Sequence, residues 1–133
     1  MSESSGRDRF LVTRRAAKLV AVAAWGLVVV FFGATLIRGG SMQPTVAPGD
    51  VVVYRRSAQG LGAGDIVYFD HPEWPRGVVH RVVEVLPDGS VKTRGDANPV
   101  DDREAVPQRR IRGVATVVIP SGKAVAALVG ALR

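Results

Sequence analysis

The feature that most constrains this chain is an uncharged apolar run, LVAVAAWGLVVVFFGATLI, at residues 19–37. As a helix, this run of 19 residues would extend roughly 28 Å, close to the ~30 Å hydrocarbon core of a bilayer. The run therefore indicates a transmembrane helix. A buried core helix is less favoured, because a chain of 133 residues has little other structure with which to cover an apolar helix on every side.

A cleavable signal peptide is the second alternative for this run. The apolar region of such a peptide is shorter, roughly 7 to 15 residues, and ends in a small-x-small cleavage site. The run ends instead in Thr-Leu-Ile-Arg, at residues 35–38. We therefore expect an anchor that is retained in the mature protein.

Basic residues are distributed unevenly around the apolar run. Five lie within residues 1–18, and only three lie in the twenty positions that follow residue 37. Lys and Arg accumulate on the cytoplasmic side of a membrane helix. We expect a cytoplasmic basic segment at residues 1–18, a single pass through the plasma membrane at residues 19–37, and an extracytoplasmic remainder.

The charge and the residue types limit the partners and the chemistry. The net charge of +6 divides into +3 for residues 1–18 and +3 for residues 38–133. The positive charges of residues 38–133 are scattered without interleaved aromatic residues, so we expect no nucleic acid as a partner. A lipid bilayer is the expected partner. The chain has no cysteine and only two histidines, so we expect no metal and no cofactor.

After the apolar run, the pattern changes to short strands. PGDVVVYRR at residues 48–56 and AGDIVYFD at residues 63–70 each join a Gly-Asp turn to β-branched and aromatic residues. GVVHRVVEVLPDGSVKTRGD at residues 77–96 predicts a hairpin around its Pro-Asp-Gly turn, and IRGVATVVI at residues 111–119 predicts a last strand. The pattern predicts a mainly β domain on one core at residues 38–123.

The remaining segment is a short apolar tail at residues 124–133. It is too short to span a bilayer. Whether it lies in the membrane interface or packs on the domain stays open.

Ser41 is a candidate nucleophile, because it stands among glycines, a methionine and prolines. A serine needs a base to take its proton and a donor to stabilise the oxyanion, and flanking glycines let the backbone approach a substrate closely. The candidate bases are His80, in a predicted strand, and His71, in a turn. Taken singly, each residue has a simpler structural explanation. Ser41 would belong to a linker, His80 would be a hydrogen-bonded core residue, and His71 would be a solvated loop residue.

Five motifs occur in order along the chain: GGSMQPT at 39–45, GDVVVY at 49–54, GDIVYF at 64–69, HRVVEV at 80–85 and GDANPVDD at 95–102. This ordered set resembles the type I signal peptidases, membrane-anchored serine proteases that remove signal peptides from exported preproteins. The resemblance covers residues 19 to about 120. It implies one N-terminal transmembrane helix followed by a small all-β catalytic domain, and preprotein substrates with small residues at the first and third positions before the cut.

The resemblance also implies the roles of four residues. The common bacterial members have a lysine as general base at the position of His80. With histidine at this position, the chain resembles the branch of the family found in the endoplasmic reticulum, archaea and some Gram-positive bacteria. A Ser-His-Asp arrangement is inferred for that branch. It implies Ser41 as nucleophile, His80 as general base, Asp102 as the acidic partner and Asp96 as a second required acid. Which acid is the main partner of the histidine stays open.

Gly39, Gly40, Met42 and Pro44 stand at the family's positions around the nucleophile, and the resemblance implies that these positions bind substrate or the oxyanion. Gly39 departs from the family pattern. Many members carry a serine at the position of Gly39, and its hydroxyl donates to the oxyanion. Losing one such donor costs about 10²- to 10³-fold in rate. Either another donor replaces it or the reaction is slow.

Two alternatives remain. The self-cleaving repressors share a similar nucleophile motif, but they use a lysine base and carry a DNA-binding domain. The other alternative is a catalytically silent, membrane-tethered β module that binds partner proteins. The predicted anchor and His80 argue against the first alternative. Ser41, His80 and the two acids together argue against the second.

Overall fold

The computed structural model describes residues 4–120 and 130–132. Within these residues the elements are a helix, α1 (Ser4–Phe31), and six strands, β1 (Phe32–Leu36), β2 (Val51–Arg55), β3 (Ile66–His71), β4 (Trp74–Val85), β5 (Val91–Arg94) and β6 (Ile111–Ile119), with a 3₁₀ turn at Gln108–Arg110. The chain forms two compact units, Met1–Phe31 and Phe32–Arg133.

The apolar run does not form one helix, which corrects the prediction for residues 19–37. Helix α1 begins at Ser4 and ends at Phe31, and the run continues as strand β1. Over residues 4–120 and 130–132, none of the helices combines the length and the apolar content that a membrane crossing requires. The physical reason for the change is an available strand partner, because β1 pairs with β2 along its whole length.

Gly33 makes this pairing possible. A Cβ at Gly33 would overlap the ring of Tyr54, which is buried against β1. Glycine therefore lets β1 lie across the aromatic ring while it keeps its main-chain pairing with β2. The pattern of an uninterrupted apolar run cannot distinguish such a strand from the last turns of a helix.

The strands form one antiparallel sheet in the order β1-β2-β6-β3-β4-β5. The predicted mainly β fold is confirmed. The predicted hairpin is confirmed as well, since β4 and β5 pair from Arg81↔Arg94 to Val85↔Val91. Gly89 in the intervening turn has a φ of 83°, a backbone angle that residues other than glycine rarely adopt.

Two clusters of buried side chains stabilise the sheet. One packs β2 and β3 against the segment that follows β1, where Met42 and Val46 are 1% and 0% exposed. The other contains side chains from all four strands β3, β4, β5 and β6, and Val67, Val82 and Val91 lie at its centre. Each fully buried side chain of this size contributes about 1.5–3 kcal/mol. Because Met42 follows Ser41 directly, the first cluster also anchors the turn that carries the candidate nucleophile.

The predicted C-terminal tail lies mostly outside the described residues. Only residues 130–132 of the segment 124–133 are described. The two alternatives for the tail, the membrane interface or the surface of the domain, therefore concern residues that lie mostly outside the described part of the chain.

Candidate active site

Ser41 lies in a tight turn between β1 and β2. The turn is closed by two main-chain hydrogen bonds, from the N–H of Gln43 to the carbonyl of Gly40 at 3.1 Å and from the N–H of Val46 to the carbonyl of Met42 at 3.0 Å. Met42 is buried beneath the turn, whereas Ser41 is half-buried. The packing of Met42 thus fixes the backbone from which the serine hydroxyl projects.

His80 lies within β4, where its register partner is Val67 of β3. The residue is 8% exposed. The Phe69 ring and the imidazole form a T-shaped contact, with centroids 6.3 Å apart and planes at 74°. Strand pairing and the aromatic contact therefore restrict the orientation of this histidine.

Ser41, His80 and Asp102 form one hydrogen-bonded series. The Oγ atom of Ser41 lies 3.0 Å from Nε2 of His80, and Nδ1 of His80 lies 2.6 Å from Oδ2 of Asp102. With its proton on Nδ1, the imidazole donates to the carboxylate and accepts the serine proton at Nε2. The sequence left open which acid is the partner of the histidine, and in the structure this acid is Asp102.

Asp96 has a different partner. The guanidinium of Arg81 donates two hydrogen bonds to its carboxylate, at 2.9 and 2.8 Å, and the hydroxyl of Thr45 donates a third. The Arg81 hydrogen bond, partly opposed by burial, lowers the pKa of Asp96, and the same bond raises the pKa of Arg81. Arg81 follows His80 in β4, so their side chains leave opposite faces of the strand. Asp96 therefore ties the loop after β5 to β4, away from the imidazole.

Gly95 is a site residue that the sequence did not single out. A Cβ there would lie 2.5 Å from the carbonyl oxygen of Ser41 and 3.0 Å from Nε2 of His80. The N–H of Ala97 also donates to the Ser41 carbonyl at 2.8 Å. The loop after β5 can therefore dock on the serine turn only with glycine at position 95. Its signal in the sequence was the first letter of GDANPVDD.

The family model described as signal peptidase, peptidase S26, matches residues 11–118 of the chain. The chain belongs to this signal peptidase family. The family resemblance carried by the five motifs is therefore confirmed, and the match includes Ser41, His80 and Asp102. No curated protein gives a significant match to the chain.

The remaining residues that the signal peptidase resemblance singled out lie around the serine turn. Gly39, Gly40 and Pro44 are exposed, and a Cβ at Gly39 would meet nothing within 4 Å. The side chain of Met42 lies in the core, so it supports the turn from within. Among the described residues, the N–H of Ser41 has no hydrogen-bond acceptor.

Two other features lie apart from the series. His71, at the end of β3, accepts a hydrogen bond from the N–H of Glu73. A shallow pocket of about 240 Å³ includes Arg81 in its lining but none of the three residues of the series. Over residues 4–120 and 130–132, no three histidine or acidic side chains are grouped closely enough to hold a metal ion.

Proposed function

We propose that the protein is a serine endopeptidase that removes signal peptides from exported preproteins, with Ser41 as nucleophile, His80 as general base and Asp102 as the residue that orients the base. The observation that carries the proposal is the hydrogen-bonded series of these three residues within a chain of the signal peptidase family. The use of histidine in place of the lysine of the common bacterial members is part of this proposal.

The first half of the reaction forms an acyl-enzyme. Oγ of Ser41 attacks the scissile carbonyl carbon while Nε2 of His80 takes the hydroxyl proton, and the carbonyl electron pair moves onto oxygen. Asp102 stabilises the resulting imidazolium through Nδ1. Nε2 then returns its proton to the leaving amine as the C–N bond breaks.

The second half hydrolyses this ester. Water attacks the acyl carbon, with its proton taken by the same Nε2 atom, and the ester bond to Ser41 breaks as the serine recovers a proton. The developing oxyanion accepts a hydrogen bond from the N–H of Ser41, which has no other acceptor among the described residues. Gly39 has no side chain to act as a second donor.

The edge of β4 supports binding of an extended peptide. On the side of β5, β4 has register partners only from Arg81 to Val85, so within the described residues the earlier positions Val78 and Val79 have no neighbouring strand there. A peptide that pairs with this edge brings its backbone alongside the proposed base. The proposed substrates have small residues at the first and third positions before the cut.

Attachment to the plasma membrane through the N-terminal segment is a further part of the proposal, with the catalytic unit outside the cytoplasm. The uncharged run and the basic residues that precede it support this placement. Leu19, Val22 and Trp25 of α1 are 71%, 70% and 70% exposed. An exposed apolar surface of this kind indicates contact with lipid or with another protein.

Replacement of the proposed nucleophile tests the function. Ser41→Ala should abolish cleavage of a preprotein that carries an Ala-x-Ala site, because no hydroxyl remains to form the ester, while the fold and the amount of protein are unchanged. Ser57→Ala is the matched control, since this serine lies outside the motifs and should leave cleavage intact. Cleavage is followed as the size shift of the preprotein.

A serine-directed acylating probe separates the proposal from a silent binding module. The parent protein should be labelled at Ser41, and the Ser41→Ala variant should not. A folded parent protein that neither takes the label nor cleaves the preprotein would support the silent module instead.

A further inference from the structure

Thr93 of β5 contacts the proposed triad acid twice. Its hydroxyl donates a hydrogen bond to Oδ2 of Asp102 at 2.6 Å, and its carbonyl accepts one from the N–H of Asp102 at 2.8 Å. Thr93 is 0% exposed. One fully buried residue therefore holds both the backbone and the carboxylate of Asp102.

The hydroxyl of Thr93 binds the same oxygen that His80 uses. Oδ2 of Asp102 lies 2.6 Å from Nδ1 of His80 and 2.6 Å from Oγ1 of Thr93. The carboxylate torsion of an aspartate is broad, so one hydrogen bond alone leaves its orientation loosely set. The second donor restricts that rotation and keeps Oδ2 aligned with the imidazole.

The surroundings of Asp102 make this restraint important. Asp102 belongs to no strand, and its side chain is 27% exposed, so packing alone does not hold it. Thr93, by contrast, pairs with Val82 of β4. Val82 is two residues from His80 and lies on the same face of the strand. The β4–β5 hairpin thus carries the base on one strand and the support of its acid on the other.

We propose that Thr93 is a positioning residue for catalysis, which acts through Asp102 to keep the imidazole of His80 aligned with Ser41. This inference rests on the proposed function. Thr93 itself touches neither substrate nor the reacting atoms. Its hydroxyl acts in every turnover, while the imidazole of His80 gains and then loses its proton. Both proton transfers need the carboxylate of Asp102 in the same orientation.

The kinetic test compares variants that differ in the hydroxyl. Thr93→Val replaces the hydroxyl by a methyl group of similar size and should lower kcat by about 10- to 100-fold, the range for a hydrogen bond to a charged group, with KM unchanged. Thr93→Ser keeps the donor and should retain most of the parent kcat. The matched control is Thr116→Val, whose hydroxyl bonds to the carbonyl of Val53 far along the sheet from Asp102, and this variant should cleave normally.

A spectroscopic test does not depend on activity. The Nδ1–H group of His80 donates a short hydrogen bond to the carboxylate of Asp102. The NMR resonance of this proton should therefore lie far downfield in the parent protein. Thr93→Val should shift or broaden this resonance, Thr93→Ser should preserve it, and Asp102→Asn should remove it. If Thr93→Val fails to fold, Thr93→Ala removes the same hydroxyl without adding a methyl group.

The two tests distinguish failure of this inference from failure of the proposed function. If Ser41→Ala cleaves preprotein like the parent, the proposed function is wrong, and the resonance alone then decides whether Thr93 orients Asp102. If Ser41→Ala is inactive but a folded Thr93→Val keeps the parent kcat and resonance, only the positioning role is wrong. A rise in KM without a loss of kcat would also overturn that role.

Discussion

At position 80, histidine and lysine would need opposite surroundings to act as a base. A free histidine has a pKa of about 6.5 and a free lysine a pKa of about 10.4, so a lysine base must be strongly desolvated to lose its proton at neutral pH. A carboxylate close by does the reverse, because it favours the ammonium form. Asp102 lies 2.6 Å from the imidazole of His80, which suits histidine and not lysine.

The first residue-scale prediction is that His80→Lys does not restore the lysine mechanism of the common bacterial members. Asp102 would hold the ammonium protonated, so processing of a preprotein at pH 7 should be lost. Asp102→Asn alone should lower the rate by ~10⁴-fold, the scale seen when the acid of a triad is neutralised. The double variant should recover only a trace of activity.

Cleavage rates of the purified variants at pH 7 provide the measurement. If His80→Lys processed preprotein at near the parent rate, Asp102 would not be coupled to position 80. The proposed mechanism would then be wrong.

The second residue-scale prediction concerns the close approach at Gly95. Gly95→Ala should reduce cleavage severely, because the added Cβ would meet the Ser41 carbonyl at 2.5 Å and push the loop away from the serine turn. Gly62→Ala is the matched control, since a Cβ at Gly62 meets nothing within 4 Å. Cleavage and thermal unfolding of both variants check this. Equal activity in the two variants would contradict the docked arrangement of the loop.

At the scale of elements, β4 organises the site by presenting adjacent residues to opposite faces. His80 leaves one face toward Ser41 and Asp102, and Arg81 leaves the other toward Asp96. The loop after β5 thus supplies one acid to each side of the strand. Asp96 and Asp102 of this loop carry the same charge, but their positions along the loop give them different partners.

The element-scale prediction is a pH dependence of stability from the pair of Arg81 and Asp96. Because the pKa of Asp96 is lowered in the folded protein, the pair contributes stability that is fully present above the unfolded pKa of ~3.9 and is lost as pH falls through the lowered value. Asp96→Asn should therefore remove about 1 kcal/mol or less of stability at pH 6, since Arg81 is partly exposed.

Urea unfolding between pH 2 and 7 provides the measurement for this pair. The difference between the parent and Asp96→Asn should be constant at neutral pH and should shrink in acid, below the unfolded pKa of ~3.9. The carboxylate of Asp88, whose pKa is also lowered, is present in both proteins and cancels in the difference. A difference that stayed the same down to pH 2 would contradict the ion-pair explanation.

At the scale of the whole molecule, the chain divides at Phe31 into two units. The sheet, both buried clusters and the hydrogen-bonded series lie in the second unit, Phe32–Arg133. Most of the uncharged run and all of the basic residues before it lie in the first. The catalytic proposal and the membrane proposal therefore depend on different parts of the chain and can be tested separately.

The whole-molecule prediction concerns location. The distribution of basic residues before and after residues 19–37 predicts that protease added to intact cells or spheroplasts digests a tag at the C-terminus and spares a tag at the N-terminus. Both tagged proteins should sediment with the membrane fraction. The reverse digestion pattern, or recovery in the soluble fraction, would contradict the proposed location and the role in export.

The sequence by itself determined the strands after residue 38, since alternating β-branched residues between glycine turns have few other stable arrangements. It also singled out candidate residues for chemistry, because Ser41 and His80 stand in motifs that resemble those of the family whose model matches residues 11–118. These inferences depend on local pattern and on residue type, which are properties of the chain before it folds.

Only the tertiary structure decided how those residues meet. The strand pairing of β1, the choice of Asp102 over Asp96, the close approach at Gly95 and the support from Thr93 all depend on which distant segments lie side by side. His80 and Asp102 are 22 residues apart, and their contact requires the β4–β5 register together with the path of the following loop. Local propensity carries no information about such a contact, because its energy appears only when both segments are in place.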